Sequence, residues 1–289
     1  MKKAPINWTV TGGEVASLTP FLIVGILNAT PDSFYDGGQH NDQNQAIAWG
    51  QKLIADGAHM VDVGGESTRP GAEQISTEEE IRRVEPVIQA LAPLAPVSVD
   101  TYRAKTAVAA LEAGAVVVND VSACRFDPAL RDVLVQYKPG YVLMHSVKDP
   151  QTMQNDPQYA DVVAHIRDFF ETTMNDLVRA GLPEDRIVLD PGIGFGKTLK
   201  HNLAILQHIE EFAELGRPVY MGLSNKSWMG ALLGLETAER GTATQVATAL
   251  LGARGVRIHR VHDVAHTART LQMVAAMSST KVDGTEIIP

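Results

Sequence analysis

Short apolar runs alternate with longer stretches of mixed polarity along most of the chain. The runs are Phe21 to Leu27, His59 to Val63, Pro96 to Val99, Val116 to Val118, Tyr141 to Met144, Ile187 to Leu189, Pro218 to Met221 and Val256 to Val261. They are mostly continuous and rich in β-branched residues, the pattern of strands buried on both faces. The stretches between them predict helices from about Asn44 to Ala55, from Ser76 through Leu91, up to Gly114, from Asp127-Pro128 onward, from about Tyr159 to Ala180, from about Asn202 to Leu215, in one or two pieces over 227–253, and after Asp263. Ser76 with Glu79 reads as a capping box, and Pro128 as the first residue of its helix. Gly57, Gly114, Gly181, Gly216 and Gly255 stand where helix gives way to strand, the place where a left-handed backbone suits glycine.

Strands alternating with helices imply βαβ units and a parallel sheet. Eight such units in 289 residues point to a single closed (β/α)8 TIM barrel, with a doubly wound open sheet as the competing layout. Residues 6 to 20 hold two short runs around Thr11-Gly12-Gly13 and are expected to form a short N-terminal hairpin that lids one end. No linker-like or low-complexity run interrupts the pattern, so one domain over 1–289 is expected.

Composition narrows the function. With 45% apolar and 20% charged residues, the chain has an ordinary globular make-up. A net charge of -9 argues against a nucleic-acid surface, which is usually basic. No apolar run is long enough to predict a transmembrane helix. The segment MKKAPINWTVTGG lacks an apolar core, so a secretory signal is not expected. Cys124 is the only cysteine, which excludes an internal disulfide and fits a reducing cytoplasm. It reads as an inert thiol.

The polar residues that end the strands carry the chemistry: Asn28, Asp62, Asp100, Asn119, His145, Asp190, Lys226 and the pair Arg260/His262. In a (β/α)8 barrel, ligands bind at the carboxyl ends of the strands. Asp and Asn at such places often only cap helices, but capping needs no Lys, Arg and His on the same rim. The mixture suits a polar heterocycle with both donors and acceptors. Arg260 and His262 are two apart, so an extended strand points both to one side, an arrangement for a phosphate oxygen. Ser67, Thr68 and Arg69, in the loop GGESTRPGAEQI, also suit an anion, although loop charges are often only solvated. PGIGFGKT is not a Walker A loop, because Pro191 stands where its first glycine belongs. It is not G-x-G-x-x-G either, and no H-E-x-x-H or paired-cysteine zinc pattern occurs. His259 and His262 fall on opposite strand faces and His266 in the next helix, so three-histidine ligation is not expected.

The segments GILNATPDSFYDGG, VDVGGESTRPGA, SVDTYR, VVNDVS, LDPGIGFGKT, Ser-x-Lys-Ser and RVHDV occur together and in order. Over about residues 21 to 275 this resembles the bacterial dihydropteroate synthases. The resemblance implies a (β/α)8 barrel, usually a cytoplasmic homodimer. It implies condensation of 6-hydroxymethyl-7,8-dihydropterin pyrophosphate with p-aminobenzoate, with Mg2+, giving 7,8-dihydropteroate and pyrophosphate. By motif, Asp100, Asn119, Asp190 and Lys226 should line the pterin pocket, with Asp62 close by. Asn28, Arg260 and His262 should hold the pyrophosphate, Asn28 its metal. Thr68, Arg69, Phe195 and Ser227 should surround p-aminobenzoate, and the loops with Asp32, Ser33 and Arg69 should close over the substrates. Lys226, Arg260, Asp100 and Asp190 are the implied catalytic set.

The family pattern Ser-Arg-Lys-Ser reads Ser224-Asn225-Lys226-Ser227 here. An amide in place of a guanidinium removes a charge and a two-pronged donor, which bears on p-aminobenzoate and sulfonamide affinity. Two other readings stand beside the synthase. One is a pterin-binding barrel that presents methyl-tetrahydrofolate to a corrinoid partner, disfavoured by Arg69 and Arg260-x-His262. The other, motivated by Asn225, is an inactive regulatory paralogue.

Overall fold

A computed structural model describes residues 5–30, 39–66, 74–146 and 157–278. The hairpin pairs β1 (Ile6–Val10) with β2 (Gly13–Ser17) in antiparallel register. The next eight strands are β3 (Leu22–Asn28), β4 (Met60–Gly64), β5 (Val97–Asp100), β6 (Val117–Asp120), β7 (Gly140–Met144), β8 (Ile187–Asp190), β9 (Tyr220–Met221) and β10 (Ile258–Val261). They form one parallel sheet in the order β8-β7-β6-β5-β4-β3-β10-β9. Its two outer strands meet where Leu189 N–H donates to the Pro218 carbonyl at 3.0 Å, beside a parallel bridge from Leu189 to Val219. The sheet therefore closes, and the fold is a (β/α)8 barrel, not an open doubly wound sheet.

The helices are α1 (Gln39–Ala55), α2 (Thr77–Leu91), α3 (Ala104–Glu112), α4 (Leu130–Tyr137), α5 (Val162–Ala180), α6 (Leu199–Gln207), α7 (Glu210–Ala213), α8 (Ser227–Leu233), α9 (Gly241–Ala253) and α10 (Val264–Ser278). The strands are buried on both faces because each face has its own apolar layer. Val61, Val63, Val97, Val99, Leu143 and Leu189 pack outward under the helices. Leu22, Val24, Met60, Val117, Val142, Val188, Tyr220 and Ile258 pack inward with Ile6, Trp8, Val10 and Val15 of the hairpin. Those inward residues lie toward the amino ends of their strands. The hairpin thus plugs the amino-terminal end of the barrel and leaves the carboxyl rim open. Trp8 anchors the plug, its Nε1 donating to the Arg186 carbonyl at 2.8 Å. Gly140 makes room for it, since a Cβ there would lie 2.7 Å from a Val10 methyl.

The glycine punctuation holds at each of the five turns: Gly57, Gly114, Gly181, Gly216 and Gly255 have φ of +103, +110, +117, +80 and +106°. Ser76 starts α2 as expected, whereas the starts of α1 and α4 differ. α1 begins at Gln39 and not near Asn44. Ser76 Oγ accepts from Glu79 N–H at 3.1 Å, but the Glu79 carboxylate bonds Arg82 and Arg83. Helical neighbours at i+3 and i+4 compete with the return bond, so only half of the capping box forms. Asp127 Oδ2 accepts from the Ala104 N–H at 2.7 Å and its Oδ1 from the Ala129 N–H at 3.2 Å, so one carboxylate serves both the start of α3 and the turn before α4, which starts at Leu130. The stretch expected as one helix to Leu215 is split, because His208 leaves helical geometry at φ −120°, ψ 28°. Among the described residues no helix is long and apolar enough to cross a membrane.

Candidate active site at the carboxyl rim of the barrel

Strand register selects which rim residues face inward. Ile26, Asp62 and Ser98 align in one layer, and Asn28, Gly64, Asp100 and Asn119 in the next. Residues two apart share a face. The inward apolar floor residues Met60, Val117, Val188 and Ile258 are therefore followed inward by Asp62, Asn119, Asp190 and Arg260. A Cβ on Gly64 would lie 3.5 Å from that of Asp100 and 3.9 Å from Asn28 Oδ1, so this glycine keeps the mouth open between them.

Arg260 is the hub. Its Nε donates to Asp62 Oδ2 and its Nη2 to Asp100 Oδ2, each at 2.6 Å. Asn119 Nδ2 donates to the same Asp62 oxygen at 2.9 Å. Asp62 is fully buried and Asn119 nearly so. Burial raises the Asp100 carboxyl to about 7, against the pull of Arg260 and with the help of Asp62. Burial works against the Arg260 charge, but Asp62 and Asp100 more than offset it and hold the group protonated. Asp62 Oδ1 and Asp100 Oδ1 are buried without a hydrogen-bond partner among the described residues. Buried acceptors left so are costly, and a ligand carrying N–H groups would satisfy them.

The opposite wall holds Asp190 and Lys226. Asp190 Oδ1 accepts from Gly192 N–H at 2.7 Å, and burial raises its pKa against the charge of Lys226. Lys226 Nζ donates to the Ile193 carbonyl and sits 4.6 Å from the centre of the Phe195 ring. Burial lowers its ammonium to about 8, opposed by Asp190. Asn225 holds the left-handed region at φ +57°, which Asn tolerates better than most residues. Its N–H donates to Thr244 Oγ1 at 3.3 Å and its carbonyl accepts from Arg240 Nη1 at 3.0 Å. The turn before Lys226 is thus tied to the start of α9. Ser227 is exposed at the first position of α8. His262 Nδ1 lies 3.0 Å from Ser224 Oγ, and Asn28 ends β3 half-buried.

Two strand-end residues do not join the mouth. His145 follows the inward Met144, so it turns outward, where His165, Tyr159 and Phe169 pack around its ring. Burial, with the charge of Lys197, lowers its pKa to about 2. Asp120 follows Asn119 and likewise faces outward, accepting from Ser122 N–H, Cys124 N–H and Tyr141 Oη. Burial and this acid push the Cys124 thiol up to about 12, in keeping with an inert thiol. His259 packs against the Phe21 ring on the outer face. Among the described residues no group of three or more His, Cys, Asp or Glu could hold a metal.

Asp32, Ser33, Ser67, Thr68 and Arg69 lie outside the described residues. The stem of the second loop is fixed: Glu66 Oε2 accepts from Ile75 N–H at 3.2 Å and from Arg103 Nη2 at 2.6 Å. Lys197 was not singled out from sequence. It is 3% exposed, and burial lowers its ammonium to about 7, opposed by Asp190. Its place beside glycines at the end of a buried loop was the available signal.

The fold and this mouth are those of a barrel enzyme for a small polar ligand. The family described as pterin binding enzyme matches residues 24–262. A dihydropteroate synthase of Synechocystis is 42% identical over 260 residues, covering 88% of this chain and 89% of the relative. The dihydropteroate synthase of Yersinia pestis, solved with a sulfonamide drug complex, superposes with a TM-score of 0.87 at 36% identity, covering 94% of this chain and 99% of that one. That of Xanthomonas albilineans in complex with 7,8-dihydropteroate gives 0.82 at 38% identity, covering 90% and 95%. The chain belongs to the dihydropteroate synthases, the transferases of folate biosynthesis within that pterin-binding class.

Proposed function

We propose that the chain condenses 6-hydroxymethyl-7,8-dihydropterin pyrophosphate with p-aminobenzoate, giving 7,8-dihydropteroate and pyrophosphate. The observation that carries this reading is the buried Asp62–Arg260–Asp100 cluster, with one oxygen of each acid lacking a protein donor. An amino-pyrimidine edge supplies such donors. Asp62, Asp100 and Asn119 would read the pterin from one wall, and Asp190 and Lys226 from the other. In the reaction the carbon–oxygen bond to pyrophosphate breaks and the aniline lone pair forms the new carbon–nitrogen bond. The surplus proton goes to solvent. The buried acids favour positive charge on the pterin methylene in the transition state, an electrostatic effect. Arg260 has Nε and Nη2 engaged, which leaves Nη1, with His262, for the leaving group. Phe195, Ser227, Thr68 and Arg69 would border p-aminobenzoate.

A caged divalent ion needs several oxygen ligands, whereas Mg2+ commonly arrives on a substrate phosphate and takes one or two from protein. The single amide oxygen of Asn28 at the open rim fits the second case. Mg2+ held there would neutralise charge on the departing pyrophosphate.

Purified protein with Mg2+ and both substrates is expected to release pyrophosphate. No release would refute the reading, and measurable turnover excludes an inactive paralogue. Tight methyl-tetrahydrofolate binding without pyrophosphate dependence would favour the methyl-folate barrel.

The working form is a homodimer. Val246 and Leu250 on α9 and Met273 and Met277 on the adjacent α10 are 55%, 61%, 62% and 80% exposed, each pair one helical turn apart. Apolar side chains so placed mark a protein-contact face, and a second copy of the chain is the occupant. Sedimentation is expected to give twice the chain mass, and Leu250→Lys to give monomers. A monomeric native protein would rule the dimer out. One domain over 1–289 and a cytoplasmic setting complete the reading.

A further inference from the structure

The loop between β8 and α6 should be loose. It has Gly192, Gly194 and Gly196 in the left-handed region, at φ +68, +83 and +60°, and glycine loses the most backbone freedom on ordering. Two buried side chains restrain it. Lys197 gives its ammonium to the Phe195 carbonyl at 2.9 Å, the His145 carbonyl at 3.2 Å and His145 Nδ1 at 3.1 Å. An ammonium has three protons, so Lys197 is fully used within the wall. Asn202, on α6 and 2% exposed, accepts from Gly194 N–H at 2.9 Å and donates to the Thr198 carbonyl at 3.0 Å. Contact with β7 is close as well: a Cβ on Gly192 would lie 2.1 Å from the His145 carbonyl.

What this clamp holds is turned to the mouth. Beside the pinned Gly194 N–H and Phe195 carbonyl lie the Ile193 carbonyl that accepts from Lys226 Nζ and the Phe195 ring beneath the same ammonium. We propose that Lys197 and Asn202 are positioning residues of the synthase: they hold the glycine loop in the one shape that sets Phe195 against Lys226 and so forms the aryl-amine side of the mouth. The inference rests on the synthase reading and extends it to residues that face away from the substrates.

Lys197→Met keeps the volume and removes all three donors. It is expected to raise KM for p-aminobenzoate about tenfold or more, with a smaller change in kcat at saturation, since Asp62, Asp100 and Arg260 lie outside the loop. Calorimetric affinity for the pterin pyrophosphate is expected to fall less than KM for p-aminobenzoate rises, because Asp62, Asp100 and Asn119 come from other strands and only Asp190 and Lys226 adjoin the loop. A purely structural role gives the opposite split: a smaller active fraction, hence lower apparent kcat, with KM unchanged. Asn202→Ala is expected to move KM in the same direction. Unchanged KM in a folded variant of either residue overturns the proposal. Amide exchange on the unmodified protein covers the case in which neither variant folds: Gly194 N–H is expected to exchange slowly, and exchange at the open-chain rate overturns the clamp. Absence of turnover in the unmodified protein would instead sink the synthase reading, and the exchange result would then stand alone.

Discussion

Arg260→Met is expected to lower stability by about 3–5 kcal/mol, the usual cost of leaving a buried charge without its partner, and Tm by roughly 10 °C. Pyrophosphate release should fall below detection. The arginine bridges Asp62 and Asp100 at 2.6 Å to each, so its removal leaves two buried carboxylates facing one another. Adding Asp100→Asn should recover about 1–2 kcal/mol, as contacting residues are coupled. The pH dependence has a definite sign. Folded Asp100 is raised from its ordinary 3.8 to about 7. Between those values the native state binds a proton that the unfolded chain has released. Its contribution is therefore present at the acid end and is lost as pH rises through about 7. Without Arg260 the folded value climbs further, so the gap between variant and unmodified protein should widen with pH. Denaturant unfolding at mildly acid and mildly alkaline pH measures this, and an equal gap at both would show that the bridge does not govern Asp100.

The same contact alters what Arg260 means for ligands. As a bare anion clamp it would matter only to the pyrophosphate ester. Held between the two pterin-side acids, it is expected to weaken binding of the bare pterin too, with the larger loss still for the ester. Equal losses for both ligands would remove it from the pyrophosphate site.

Lys226→Met is the second large effect. A charged donor to a buried ligand contributes about 1.5–3 kcal/mol, so affinity for a pterin analogue should fall roughly 10- to 100-fold. kcat/KM should fall by about 10²–10³, as for loss of one preorganised donor at a developing charge. Because burial lowers this ammonium to about 8, kcat/KM of the unmodified protein should decline above that pH. The alkaline limb assigned to Lys226 should vanish in the variant. Unchanged analogue affinity by calorimetry would exclude Lys226 from the pocket. Asn225 supplies no guanidinium, and Arg240 reaches only its backbone carbonyl.

Much of the architecture was legible because it is encoded in short windows. Each buried strand reads as a run such as Ile187-Val188-Leu189, and five of the returns from helix to strand are marked by a glycine that takes positive φ. Those signals depend on neighbours a few residues away. Helix caps were less legible in detail: Ser76 starts α2 as read, but the Glu79 carboxylate turns to Arg82 on the helix surface, and Asp127 bonds α3 as well as its own turn.

The candidate site divides along the same line. That acids, amides, an amine and an arginine stand at strand ends follows from the letters alone, and so does the family. Which of them meet does not. Asn119 enters the mouth and Asp120 leaves it because side chains alternate along a strand, and one residue of register decides the side. Arg260 meets Asp62 across 198 residues of chain, and Lys197 meets His145 across 52. No local preference encodes such pairings. They arise only when the barrel closes and burial leaves each charge no other partner.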